Sequence, residues 1–163
     1  MKKGKRYNIV KRNIALSILL GMFLNSMSFA NSLIKTRDGS TARVITAPNG
    51  TPMIELANPN GNRISVNDFE RLNVDEKNLI LNNISSKEGA GYRSELGGII
   101  APNENYTGNP ARAILLRVHK DPSVINGFIE AASTGKVDMF LSNPNGIYLN
   151  GGLVGRFGNV TFT

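Results

Sequence analysis

From Asn31 onward the apolar residues fall in short runs: Met53-Ile54-Glu55-Leu56, Ile64-Ser65-Val66, Leu79-Ile80-Leu81, Ala113 to Val118, Phe128 to Ala131, Val137 to Leu141, Ile147-Tyr148-Leu149 and Val160-Thr161-Phe162. Runs of this length between Asn, Gly and Pro are strand signals. Helical i, i+3, i+4, i+7 spacing is absent after residue 30, apart from a weak trace at Asp68 to Leu72, so helices should be few and short. The pattern predicts an all-β protein of about eight to twelve strands.

The punctuation between the runs is as regular as the runs. Residues 31–163 hold 18 Asn and 15 Gly, about a quarter of that stretch, and these two types enter turn and left-handed conformations most readily. Pro48-Asn49-Gly50, Pro59-Asn60-Gly61 and Pro144-Asn145-Gly146 repeat one tripeptide, and Asn58 and Asn143 precede the last two. Asn-Pro-Asn-Gly carries a favoured residue at each position of a type I turn. Two architectures fit. In a sandwich or barrel, neighbouring strands pair as antiparallel hairpins. In a β-helix, each strand stacks on the strand one coil away, and roughly 20 to 25 residues per coil would give about five or six coils. Stacking also supplies stability without disulfides, which suits a chain with no cysteine.

Charge modifies the picture only at the N-terminus. The chain carries 19 Lys+Arg against 12 Asp+Glu, a net charge of +7. Lys2, Lys3, Lys5, Arg6, Lys11 and Arg12 supply six of the cations, and the rest of the chain has 13 against 12. A nucleic-acid partner is therefore not expected. The basic segment precedes an apolar stretch, Ile14 to Leu24, and small residues at Ser28 and Ala30. That order is the order of a secretory signal peptide over residues 1–30, cleaved between Ala30 and Asn31. As a helix the apolar stretch is about 16 Å long, short for a bilayer core of about 30 Å. An uncleaved anchor is the alternative, and otherwise the membrane is met only during export.

The segment Ala47 to Asn83, Gly97-Gly98-Ile99-Ile100, Ile125 to Glu130 and Ser142 to Ile147 occur in this order. Together they resemble the N-terminal secretion domain, or haemagglutination activity domain, of filamentous haemagglutinin-like exoproteins of bacterial two-partner secretion. The resemblance implies a right-handed parallel β-helix with short antiparallel additions, spanning residues 31–163. It implies recognition by the periplasmic modules of a dedicated outer-membrane transporter. It also implies release through the periplasm to the medium or cell surface of a Gram-negative bacterium, as part of an adhesin or haemagglutinin, with host-cell or bacterial surface glycans or receptors as further partners.

The family's two asparagine motifs map to Asn103-Glu104-Asn105-Tyr106, with Glu104 in the proline position, and to Asn143-Pro144-Asn145-Gly146-Ile147. Exposed amides in these turns would contact the transporter, or the asparagines only fix corners. Asn78 stands where the family has glycine, and Leu116-Arg117 replaces an Asn-Glu pair. Family members continue beyond Phe157 to Thr163 into further coils, so the domain reads as C-terminally truncated, with either an association-prone edge or a place in a longer product expected, and a short cap or local bulge as the alternative.

Catalytic chemistry is sparse. His119 is the single imidazole, beside Lys120-Asp121-Pro122, and reads as solvated or structural. Asp75, Glu76 and Glu88 lie in turn-like segments and read as solvated charges. Catalytic residues, metal ligands and cofactors are expected to be none. Two alternatives to the secretion module are a carbohydrate-binding surface, with Tyr92, Tyr106 and Tyr148 as stacking faces, and a glycan-active β-helix enzyme, which would need paired carboxylates.

Overall fold

The computed structural model describes residues 33–163, and the segment expected to be a signal peptide, with the expected Ala30–Asn31 cleavage, lies outside them. After β1 (Ile34–Thr36) and β2 (Arg43–Thr46), the chain repeats one circuit. The first coil holds β3 (Pro52–Glu55) and β4 (Ile64–Leu72), and the second begins with β5 (Leu79–Asn82). An excursion follows, with a short 3-10 turn (Ser86–Glu88) and the strands β6 (Tyr92–Ser94) and β7 (Gly98–Ile100). The second coil resumes with β8 (Ala113–Val118) and β9 (Ser123–Ile125). The third coil is β10 (Phe128–Ala132), β11 (Val137–Ser142) and β12 (Ile147–Leu149), and β13 (Gly152–Gly155) and β14 (Phe157–Phe162) begin a fourth.

Strands one coil apart pair in parallel. β3, β5, β10 and β13 form sheet I. β4, β8, β11 and β14 form sheet II. β9 and β12 form sheet III, which Val74 of the first coil joins through a bridge to Ile125. Each coil visits the sheets in the order I, II, III. The architecture is the parallel β-helix expected from the sequence, and the short antiparallel additions are present as well. β1 pairs antiparallel with β4, β2 with β3, and β6 with β7.

Parallel stacking places like residues over like. Ile54, Leu81 and Ala131 form one interior column, and Leu79 and Ile129 another, with the exposed Leu153 at its end. Met139 sits between Ile114 and Val160, Leu141 between Leu116 and Phe162, and Val74, Ile125 and Leu149 line sheet III. Apart from Leu149 and Leu153, these residues form one apolar core, with Val160 and Phe162 partly buried against it. The β6–β7 hairpin covers the outer face of sheet I, where Met53, Ile80, Ile100 and Ala132 make a second cluster with Tyr92 and Leu96 against it. Both faces of β3 and β5 are thus buried, which explains their apolar runs without alternation.

Three expectations change. Fourteen strands are seen among the described residues, above the expected range. Only three full circuits and part of a fourth are seen there, because the excursion between β5 and β8 doubles one coil: Leu79 pairs with Ile129, 50 residues on, whereas Ile129 pairs with Leu153, 24 on. The helical trace at Asp68 to Leu72 lies inside β4, whose pairing on β1 and β8 overrides local spacing. Asn78 takes φ 66° at its glycine-like position.

The corner from sheet III to sheet I admits no side chain. A Cβ at Gly127 would collide with the Asp75 carbonyl oxygen, and one at Gly151 with the Gly127 carbonyl oxygen. Gly127→Ala should therefore cost about 1–3 kcal/mol through forced backbone displacement and lower Tm. Gly135→Ala, where nothing lies within 4 Å, should leave Tm nearly unchanged in the same calorimetric comparison.

On the N-terminal side, Glu70 of β4 accepts from Lys35 Nζ of β1 at 2.7 Å and from Lys120 Nζ at 2.9 Å. Lys120, then Lys35, hold the Glu70 carboxyl down from 4.5 to about 2. The folded carboxyl is the stronger acid, so this contribution is complete above about pH 4.5 and disappears as pH falls toward 2. The protection factors of β1 amides, corrected for the intrinsic pH dependence of exchange, should fall over that window in the native chain. Glu70→Gln should show fast β1 exchange already at neutral pH and a flatter acid dependence.

Candidate functional site

The two asparagine motifs fold as the same turn. In the first, Tyr106 N–H donates to Asn103 O at 3.1 Å and Asn105 N–H to Asn103 Oδ1 at 2.9 Å. In the second, Gly146 N–H donates to Asn143 O at 3.1 Å and Asn145 N–H to Asn143 Oδ1 at 2.9 Å. The leading asparagine uses its side-chain oxygen to close the turn, as Asx turns do. The first motif keeps this geometry with Glu104 in place of proline, so the side-chain bond is sufficient without a fixed φ.

Neither leading amide is presented to solvent. Asn103 is 2% exposed and Asn143 3%. Asn103 Nδ2 donates to Leu56 O at 3.0 Å and to Asn82 O at 2.9 Å, fastening the first coil to the second. Asn143 Nδ2 donates to Asp121 O and Ser123 Oγ, both at 2.9 Å, fastening the third coil to the second. Asn105 Nδ2 bonds Thr41 O, Glu55 O and Leu56 O, tying the motif to the β1–β2 connection. Tyr106 is buried, donates to Asn83 Oδ1 at 2.8 Å, and has its phenol pushed up by burial. The expectation of exposed amides therefore fails for Asn103 and Asn143. Glu104, Pro144 and Asn145 are exposed, while Asn105, Gly146 and Ile147 are partly covered.

The structure does not bring the motifs together. The first lies at the corner between sheets I and II beside the N-terminal strands, the second at the corner between sheets II and III in the third coil. Glu104 pairs with Arg43 of β2 at 2.8 Å in an exposed ion pair, whose energetic contribution is small.

Two buried carboxylates were not visible as candidates. Glu55 is 2% exposed, and accepts from Asn82 Nδ2 at 2.8 Å and Glu104 N–H at 2.7 Å. Burial raises its pKa, and these hydrogen bonds partly offset that. Glu130 is fully buried and receives Ser94 Oγ–H and the N–H groups of Glu95 and Leu96, anchoring the β6–β7 hairpin on sheet I. The signal available in sequence was an acid inside an apolar run, in Met53-Ile54-Glu55-Leu56 and Phe128-Ile129-Glu130-Ala131. His119 belongs to a surface charge cluster. Its Nε2 lies 2.7 Å from Asp68 Oδ1, and Arg117 pairs with the same carboxylate at 2.6 Å. Burial opposes ionisation of Asp68, but the Arg117 and His119 hydrogen bonds hold it below its ordinary value.

The TPS secretion domain family model matches residues 31–154. The chain belongs to this two-partner secretion family. The secretion domain is 34% identical over 131 residues to a tRNA nuclease CdiA of Yersinia mollaretii, covering 80% of this chain and 4% of that protein. It is 34% identical over 134 residues to a hemolysin of Serratia marcescens, covering 82% and 8%. It is 34% identical over 122 residues to filamentous hemagglutinin of Bordetella pertussis, covering 74% and 3%. The crystal structure of a filamentous hemagglutinin secretion domain superposes with TM-score 0.66 at 29% identity, covering 79% of this chain and 41% of that one. The chain thus spans less than a tenth of the length of these curated relatives. As a TPS secretion domain it is a module of a secreted Gram-negative exoprotein and serves its export by two-partner secretion.

Leaving a buried polar group without its partner costs about 1–3 kcal/mol. Asn103→Ala and Asn143→Ala should each lower stability by at least that much in urea unfolding. Glu104→Ala, which removes only the exposed pair with Arg43, should shift it by less than about 1 kcal/mol.

Proposed function

We propose that the secretion domain addresses its exoprotein to a cognate outer-membrane transporter in the periplasm, and that the transporter's periplasmic modules read the exposed parts of the two asparagine turns. The supporting observation is the division of labour within each motif. Asn103 and Asn143 are consumed by the fold, whereas Glu104, Pro144 and Asn145 face solvent on turns that those asparagines hold rigid. A rigid turn loses little conformational freedom on binding, which favours recognition. The two turns are read as separate contacts, since they occupy different corners. In this reading residues 1–30 are the signal peptide, and the domain itself acts by binding, without catalysis.

Adhesion to surface glycans through tyrosine faces has less support. Tyr106 is buried and Tyr92, in β6, packs against the Met53, Ile80, Ile100 and Ala132 cluster, which leaves Tyr148, 61% exposed, as the open ring of the three.

The test is a binding titration of the full chain against the periplasmic region of the cognate transporter. Glu104→Ala and Asn145→Ala together should weaken binding at least about fivefold, roughly 1 kcal/mol, while the unfolding midpoint stays near the native value. Unchanged affinity in that folded double variant would remove the turns from recognition.

A further inference from the structure

Beside the first motif, at the corner between sheets I and II, lies a cleft of about 220 Å³ between the Asn58–Arg63 corner and the Thr107–Asn109 segment. Its walls are fixed by hydrogen bonds. Asn58 Nδ2 donates to Thr107 Oγ1 at 3.2 Å, and Thr107 N–H donates to Asn58 Oδ1 at 3.1 Å. Asn60 Oδ1 accepts from the N–H groups of Asn62 and Ile64, each at 3.0 Å. The turn here starts at Asn60 and not at Asn58, since Arg63 N–H donates to Asn60 O at 2.8 Å.

Arg63 is the unusual member. Its φ of 60° places a long side chain in the left-handed region, where Gly or Asn would sit with less strain. Non-glycine residues held there cluster at sites where the side chain has a task. Its Nε donates to Pro110 O at 2.9 Å, which orients the guanidinium. No ion pair engages it among the described residues. No acidic residue lines the cleft, so the positive charge is not neutralised within it.

We infer that this cleft binds a carboxylate-bearing saccharide. The Arg63 terminal nitrogens form a fork suited to a carboxylate. The Asn60 and Asn109 amides and the Thr107 hydroxyl offer donors and acceptors to ring hydroxyls. The cleft has no large apolar side chain in its lining, so a lipid tail or an apolar peptide side chain would gain nothing from burial there. The inference is independent of the export reading, because the cleft and the exposed turn residues Glu104 and Asn145 are different surfaces.

The experiment is a titration of the full chain with digalacturonate, followed by amide chemical shifts and by calorimetry. Saturable binding is expected, with shifts at Asn60, Thr107 and Asn109. The methyl-esterified disaccharide should bind about tenfold more weakly, as loss of a charge-assisted pair requires. Arg63→Gly, which suits the backbone at φ 60°, should retain or raise Tm and weaken binding at least about tenfold. Arg63→Lys should fall between, since an ammonium keeps charge and loses the fork. Absence of saturable binding, equal affinity for the ester, or unchanged affinity in Arg63→Gly overturns the inference. Equally strong binding of acetate would also overturn it, by reducing the site to an anion hole. Should Arg63→Gly lower Tm, Asn109→Ala decides: weaker binding supports the site and unchanged affinity overturns it.

Discussion

The parallel stacking of one coil on the next is the constraint from which the rest of this structure follows. Along the stacked strands, backbone N–H and C=O groups are satisfied by the neighbouring coils, so a strand residue's environment is set chiefly by the residue one circuit away. Interior positions must then be apolar in columns, as in Ile54, Leu81 and Ala131. Where two corners pass close to each other, the column must be glycine, as Gly127 and Gly151 show. Stability without disulfides follows, because each layer covers the apolar face of its neighbour, and this chain has no cysteine to contribute one.

Corners interrupt the ladders and leave backbone groups that stacking does not satisfy. Asparagine resolves this repeatedly. Asn67 bonds the Ala57 N–H, Asn82 bonds Ala101 O and the Ile84 N–H, and Asn83 bonds Ala111 O and the Ala111 N–H. Asn103 and Asn143 do the same between coils. A primary amide provides a donor and an acceptor on one short stem, which is what a buried corner with one carbonyl and one N–H lacks. Corner chemistry of this kind adds to turn formation, which Asn49 and Asn60 serve with the same side-chain oxygen. Few of these side chains could be exchanged for aspartate, which accepts but does not donate when ionised.

This logic separates what was legible in the sequence from what was not. The strand runs were legible because length and turn residues bound them locally. The pairing of Leu79 with a residue 50 positions away was not, because an excursion with its own hairpin hides the repeat. In β4, Ser65 and Asn67 point inward while Ile64 and Val66 are partly exposed, the reverse of an apolar-in pattern. Ser65 Oγ donates to Ala57 O at 2.7 Å and Asn67 Oδ1 accepts from the Ala57 N–H at 2.9 Å, so the first coil spends interior positions on a corner. The asparagine motifs were found correctly as turns. Their burial was not readable, since it depends on carbonyls of Leu56 and Asp121 that lie 47 and 22 residues away. Arg63 gave no signal at all, because its importance lies in a φ angle.

The two ends of the stack differ in kind. On the N-terminal side, β1 lies antiparallel along β4 and β2 antiparallel along β3. Sheets I and II thereby end on antiparallel strands on this side, and the Lys35–Glu70 pair ties β1 to β4. On the opposite side β12, β13 and β14 are the outermost strands of their sheets, and Leu149 and Leu153 remain 48% and 38% exposed above Ile125 and Ile129. Open parallel edges over an apolar layer are the template that each coil offers to the next. Among the described residues the parallel ladder is therefore open on one side and bordered by antiparallel strands on the other. An antiparallel strand satisfies the edge it covers while running against the direction of the circuit, so β1 and β2 interrupt the parallel repeat of sheets I and II. The asymmetry rests on strand direction alone, independent of which residues occupy the columns.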